Sequence, residues 1–574
     1  MKLYINDLKI ILCIGIMLTS TSVVNASTPH LVKDINSDNA NILNLVNLGG
    51  TLFFTANDGV AGQELWKSDG TEAGTTLVKD IYPDEEFFPV GNSSHPEQLI
   101  NLNGTIFFNA DDGVHGEELW SSDGTELGTI LVKDIHLGGP GHGDPQYLTI
   151  SNDTLFFSAN DGVHGHVLWS SDGTEPGTTL VKDISPNNLI NADDMLFFKA
   201  NSEDVGVELW ASDGTEAGTV LTKDIYPGGS GSDPRHLVSL GNTVFFSANN
   251  GIHGFELWKS DGTEAGTILV KDINSGPASS NPSFLINVNG TIFFRADGGE
   301  GLGLELWKSN GTEAGTVLVK DINPGTDSSD LFGLTKLGET LFFRANDGVN
   351  GLELWRSDGT EAGTALVKDI NTGLTWNGGS APSHIISTGE FLFFSAYDEL
   401  NGVELWMSDG SEAGTVIIKD IYPGPNNHSQ PESLIDANGM LFFIADDGAH
   451  GRELWALDIS SDIDSDSVPD FVDNCLNVYN PDQLDDNSDG FGDACVSPDA
   501  DISDDVDLGE GTIIGEDSVL SSGVTTGVNV AIGGHSELDS NVNVGDDVTI
   551  GNDTNLDKGS AVGESSILGT NVYI

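Results

Sequence analysis

Residues 462–495 carry the densest chemistry in the chain. Asp462, Asp464, Asp466, Asp470 and Asp473 stand at places one, three, five, nine and twelve of a loop, with the Val468 carbonyl at place seven. A second loop sets Asp485, Asn487, Asp489 and Asp493 at places one, three, five and nine, with Gly490 at six and the Phe491 carbonyl at seven. Alternate carboxylates on a tight loop suit Ca²⁺, a hard cation that takes about six to eight oxygens. Two departures stand out. Ser467 occupies the usual glycine place of the first loop, and Val496 fills the twelfth place of the second, which must borrow a ligand. With almost no apolar core, this stretch is expected to order only with metal bound.

Other candidate groups are sparser. Cys475 and Cys495 are the only cysteines beyond residue 26, and in an exported chain they are expected to pair. His535 is the one histidine of the C-terminal region and the only candidate there for a catalytic base. His115, His164, His253 and His450 share one turn position on four separate repeat units, too dispersed for one metal cluster. Lysine recurs at Lys33, Lys79, Lys133, Lys182, Lys223, Lys271, Lys320, Lys368 and Lys419, and a Glu precedes the signature Leu-Trp in all units but one, where Val167 stands. The expectation is a Lys–carboxylate pair holding strand to strand in each unit.

The elements that position these groups are repeats. Glu-Leu-Trp-x-Ser-Asp-Gly-Thr and its variants place Trp at 66, 120, 169, 210, 258, 307, 355, 406 and 455, mostly 48 to 51 residues apart. Each period holds four short apolar runs. Asn-Gly hairpin signals such as Asn103-Gly104, an Asp-Gly turn and a Ser-Asp-Gly-Thr turn separate them, so consecutive strands pair antiparallel. The fourth join is longer, variable and rich in Pro and Gly. Such units repeated radially make a β-propeller. The unpartnered Leu31–Ile35 run completes the last unit and seals the ring, which gives nine blades, with eight as the alternative. The signature resembles the bacterial repeat family named for its ELWxxDGT motif, over residues 31–455.

The pieces Asp473-Asn474-Cys475, Asn480-Pro481-Asp482-Gln483 and Gly492-Asp493-Ala494-Cys495 are similar to the thrombospondin type 3 repeat, which implies Ca²⁺ at the loop residues named above. From Ile502 an aliphatic residue recurs every six positions to Ile574, broken only at Thr526, with a small or β-branched residue four places after each. This pattern resembles the left-handed β-helix of hexapeptide-repeat proteins, many of which are trimeric acyltransferases with a catalytic His. The row has no inserted loop to cover a substrate, so a structural or oligomerising stalk is favoured, with a homo-oligomer (a trimer in that group) as the implied partner.

The chain is therefore expected to be all-β: a signal peptide over 1–26, a propeller over 27–458, a calcium-binding connector over 459–498 and a left-handed parallel β-helix over 499–574. Lys2 and Lys9, the short apolar Ile10–Leu18 core and Val24-Asn25-Ala26 read as an export signal, which places the protein outside the cell, on its surface or in the periplasm. A formal charge of −67, from 89 acidic and 22 basic residues, repels nucleic acid and attracts divalent cations. No stretch reads as a transmembrane span. The function expected is an exported, calcium-binding scaffold for adhesion, not an enzyme, presenting propeller loops to a glycan or protein ligand. The alternative is an enzyme, either an acyltransferase using His535 or a polysaccharide-acting propeller.

Overall fold

The computed structural model describes residues 28–37, 39–83, 92–137, 141–299, 301–373, 378–425, 427–461 and 468–471. In the C-terminal region it describes 494–496, 501–502, 512–514, 518–521, 523–527, 530–532, 535–545, 548–552, 554–563, 565–568 and 572–573. Every regular element among them is a β-strand, and none is a helix that could cross a membrane. The expected signal peptide lies outside the described residues.

Residues 30–458 form nine four-stranded antiparallel blades. Blade 1 runs from an innermost strand, Leu43–Leu48, through Thr51–Asn57 and Gln63–Ser68 to an outermost strand, Thr76–Lys79. Blade 9 takes three strands from Glu432–Asp436, Met440–Asp446 and Arg452–Asp458. Its fourth is His30–Lys33, antiparallel to the third, with Leu31 opposite Trp455. The nine innermost strands neighbour one another in an unbroken circle, the first beside the ninth. Asn47 Nδ2 donates to the Asp436 carbonyl across that seam at 3.1 Å. Closing the chain this way leaves no long open edge on the ring.

The second strand of each blade is apolar on both faces because both faces pack against neighbouring blades. Phe54 belongs with blade 9 residues such as Phe442 and Leu454. Its neighbour Phe53 packs with Ile106, Phe108 and Trp120 of blade 2. Alternation along the strand therefore sends successive Phe side chains into different inter-blade cores. Nine such cores close the ring.

The signature turn is a closed hydrogen-bond system. Asp69 Oδ1 accepts from the Thr71 N–H at 3.0 Å and from the Thr71 hydroxyl at 2.7 Å, and Thr75 donates to the Thr71 carbonyl at 2.7 Å. A Cβ at position 74 would sit 1.9 Å from Asp69 Oδ1, which is why glycine recurs there. Asn310 performs the same turn duty as the aspartates, accepting from the Thr312 N–H at 3.0 Å.

The repeated lysine does not pair with the repeated glutamate. Lys33 Nζ donates to the Thr75 carbonyl of blade 1 at 2.8 Å and lies 5.9 Å from the centre of the Trp66 ring. Lys79, Lys271, Lys320 and Lys368 make the same bond to the following blade. The lysine is an inter-blade clamp, and the expected strand-to-strand ion pair is corrected. Register explains the change: the third and outermost strands shift by one residue beside the Trp, which buries Val78 and swings Lys79 toward the next blade.

The C-terminal strands form three parallel sheets in which each residue pairs with one eighteen positions on, as Ile502 with Leu520 and Ile550 with Leu568. Eighteen residues are three of the six-residue units. The aliphatic row points inward, with Ile514, Leu520, Leu538 and Leu556 fully buried. Val524, Val530, Val542 and Val548, four places after row positions, fill the same core. Pairing already starts at Ala494–Val496.

Candidate functional site

The repeated glutamate holds the loops that frame one face of the ring. Glu64 is fully buried and accepts from the N–H of Ile81 at 3.0 Å and of Ser94 at 2.8 Å, and from the Ser94 hydroxyl at 2.5 Å. Ile81 begins the connector between blades 1 and 2, and Ser94 ends it. Glu256, Glu305, Glu353 and Glu404 tie down both ends of later connectors in the same way. Glu453 does so for the N-terminal segment through Ile35 and Asn36. Val167 now has a reason: the connector it would anchor is the short step from Lys182 to Pro186, which leaves nothing to hold. Burial outweighs the donors and pushes Glu64, Glu118, Glu256, Glu305, Glu353, Glu404 and Glu453 up to about 7, and raises Glu208 as well.

These connectors deliver the chain to the start of each innermost strand. There every blade carries a bulge, and its second residue is left-handed: Asn44, Gln98, Tyr147, Asn188, His236, Phe284, Gly333, His384 and Ser433, with φ between 53° and 66°. Positive φ costs a non-glycine residue roughly 1–2 kcal/mol. Repeated strain of this kind marks positions the surrounding structure enforces. The repeat tolerates nine different settings of this position with seven side-chain types, while the Phe, Trp and Lys positions barely change. Variability is thus concentrated at the axial mouth, on the face shared by the inter-blade connectors.

A paired position at the same mouth is charged over one arc. The first residue of the innermost strand faces the fifth of the second strand, as Arg235 faces Ser247, Ser283 faces Arg295 and Phe332 faces Arg344. Blades 4 to 7 each contribute one cation here: Lys199, Arg235, Arg295 and Arg344. Lys199 and Arg235 share Asp233, Lys199 at 3.1 Å and Arg235 at 2.5 Å. Arg235 stacks 4.5 Å from the Phe255 ring centre, Arg295 4.6 Å from Phe284 and Arg344 4.9 Å from Phe332. Phe284 and Phe332 meet edge to face at 5.2 Å, and His236 flanks Phe284 at 6.4 Å. Burial and the nearby Arg235, Arg295 and Lys199 hold His236 below the ordinary histidine value, so the local field is positive despite the chain's net charge.

No family model and no curated protein sequence matches the chain. Solved structures of similar shape include a puromycin hydrolase, at 12% identity over 62% of this chain and 59% of that one, TM-score 0.31. A prolyl endopeptidase aligns at 10% identity over 72% of this chain and 55% of that one, TM-score 0.37. The β-propeller domain of the trilobed protease from Pyrococcus furiosus aligns at 12% identity over 54% of this chain and 95% of that one, TM-score 0.30. The chain thus spans less than two thirds of the length of the two hydrolases. At these scores the likeness carries no chemistry over to this chain.

Of the expected calcium ligands, Val468 and Asp470 lie among the described residues. Asp470 is buried and its carboxylate accepts from the Ser461 hydroxyl. Its N–H also donates to the Ser461 carbonyl at 2.9 Å. Asp462, Asp464, Asp466, Asp473, Asp485, Asn487, Asp489, Phe491 and Asp493 lie outside the described residues, as does Cys475. Among the described residues no three His, Cys, Asp or Glu side chains gather to hold a metal. His535 occupies an exposed corner turn with φ 58°. His115, His164 and His450 each bond an aspartate of their own turn at 2.7 Å, which is local turn duty. Sequence reasoning missed the mouth residues. Their signal was present as columns of the repeat that vary from blade to blade.

Proposed function

We propose that this protein is an exported, calcium-braced binding scaffold whose propeller presents its connector face to a surface glycan. The observation that carries the reading is the variability at the axial mouth, where one strained position takes seven residue types in nine blades while the Phe, Trp and Lys positions barely change. Variable, strained positions on a face shared by the connectors suit a surface presented for binding. In this reading Ca²⁺ is held by the oxygen donors of 462–493, an all-oxygen set that suits it and that includes the buried Asp470 carboxylate. It stiffens the segment joining propeller to coil. The C-terminal coil is a left-handed β-helix that serves as a stalk and associates with further copies.

The chain leaves the propeller on the face opposite the mouth. The third strand of blade 9 ends at Asp458, and Phe471 packs 5.5 Å from Phe391 beside the hairpin turn of blade 8. The test is retention of the full chain on immobilised cell-surface polysaccharide and protein fractions, with and without Ca²⁺, alongside solution mass. Retention that weakens on chelation, with a mass above the monomer, is expected. A chain that binds no fraction in either condition contradicts the proposal.

A further inference from the structure

We infer that the arc of blades 5 to 7 at the axial mouth is a binding site for an anionic polysaccharide, whose carboxylate or sulfate groups are taken by Arg295 and Arg344 while its sugar rings lie on Phe284 and Phe332. The inference deepens the binding-scaffold reading and rests on it.

Thirteen of the twenty Lys and Arg residues beyond residue 26 are accounted for by architecture. Nine of the Lys residues clamp neighbouring blades. Lys67, Lys259, Lys308 and Arg356, one place after the Trp, donate to a glycine carbonyl of the following blade at 2.8–2.9 Å. Of the seven basic residues left beyond residue 26, four stand at one structural position on four consecutive blades. The chain has five arginines, and three of them are in this arc.

Arg295 and Arg344 are half-buried in a chain with 89 acidic residues, and among the described residues the nearest carboxylate acting on both is Asp330, which stands off from direct ion pairing with either. Arg295 reaches only Ser283 Oγ at 3.2 Å and the Leu331 carbonyl at 3.4 Å. Arg344 Nε is buried with no hydrogen-bond partner. A desolvated guanidinium with unused donors is costly unless an anion completes it. Stacking on Phe284 and Phe332 fixes both guanidinium planes, which prepares the planar fork for bidentate contact with a carboxylate or sulfate. Phe332 is 41% exposed beside its arginine, so an apolar ring surface is offered next to the Arg344 fork, with Phe284 half-buried beside Arg295. Aromatic rings set beside guanidinium forks match a polymer that repeats a ring and an anionic group.

The test measures binding of the full chain to polygalacturonate oligomers, dextran sulfate, neutral dextran and a thymidine oligonucleotide. Binding to polygalacturonate, to dextran sulfate or to both, with neutral dextran and the oligonucleotide at least tenfold weaker, is expected; the stronger of the first two identifies carboxylate or sulfate as the natural group. Arg295→Gln with Arg344→Gln should cut that affinity tenfold or more with little change in melting temperature, and the two Lys replacements should restore part of it. On the unaltered protein, the anionic oligomer should shield Arg295 and Arg344 from phenylglyoxal while Arg356 is unaffected. Equal binding of neutral dextran, unchanged affinity in the Gln pair, tighter binding of the oligonucleotide, or no shielding would overturn the inference. Strong binding of neutral dextran unaffected by the Gln pair would do so while leaving the scaffold reading intact. Binding of nothing would remove both.

Discussion

The buried glutamates set the chain's response to pH. A carboxyl raised in the fold from the ordinary 4.5 to about 7, as Glu256 is, keeps a proton that the unfolded chain has already released between those values. Its contribution is therefore complete below about 4.5 and is lost as pH climbs through 7. The turn aspartates act oppositely. Thr71 bonds hold Asp69 below its ordinary value, so its contribution fades only in more acid solution. Melting temperature should accordingly be higher at pH 5 than at pH 8, by calorimetry on the full chain. Glu256→Gln should shrink that difference and lower the melting temperature at pH 5, because the amide keeps one acceptor oxygen and turns its NH2 toward either the Ile273 or the Ser280 N–H, a loss of about 1–3 kcal/mol. The reverse pH trend would mean these carboxyls are ionised in the fold throughout. Here the sequence showed which residues recur but not what they touch. Lysine and glutamate recur once per unit, which suggested a pair, yet a one-residue register shift separates them and no periodicity reveals such a shift.

At the scale of the element, the strand most exposed to test is His30–Lys33. It supplies the outer edge of blade 9, and Val32, Ile35, Ala40 and Ile42 build the core between blades 9 and 1. Deleting residues 28–36 should strip Val32 and Ile35 from that core, expose Arg452–Asp458 as an open edge and also release Glu453 from its Ile35 and Asn36 donors. The expected outcome is a melting temperature lower by 10 °C or more, with self-association seen in solution mass. An unchanged, monomeric truncation would contradict closure by this strand. Closure was legible beforehand, because the unpartnered Leu31–Ile35 run matched a strand missing after Trp455. The hairpins were legible for a similar reason: turn chemistry leaves few alternatives, and the six-residue row showed which C-terminal residues share the buried face. The bulged start of each innermost strand was not, since positions such as Tyr147, Phe284 and His384 share no residue type that announces a positive φ.

For the whole molecule, the ring separates stability from recognition. Aromatic cores, lysine clamps and glutamate anchors repeat with little change, and the mouth varies on top of them. The net charge of −67 keeps the exterior hostile to polyanions, so the positive arc of blades 4 to 7 is a local exception, read by contact and not by long-range steering. The most direct test is hydrogen exchange across the full chain, free and then saturated with the polysaccharide it retains. The account predicts new protection at the connector ends and innermost-strand starts of blades 5 to 7, near 232–236, 281–284 and 330–333. Protection confined to the Ser-Asp-Gly-Thr turns or to the C-terminal coils, with those segments unchanged, would contradict it.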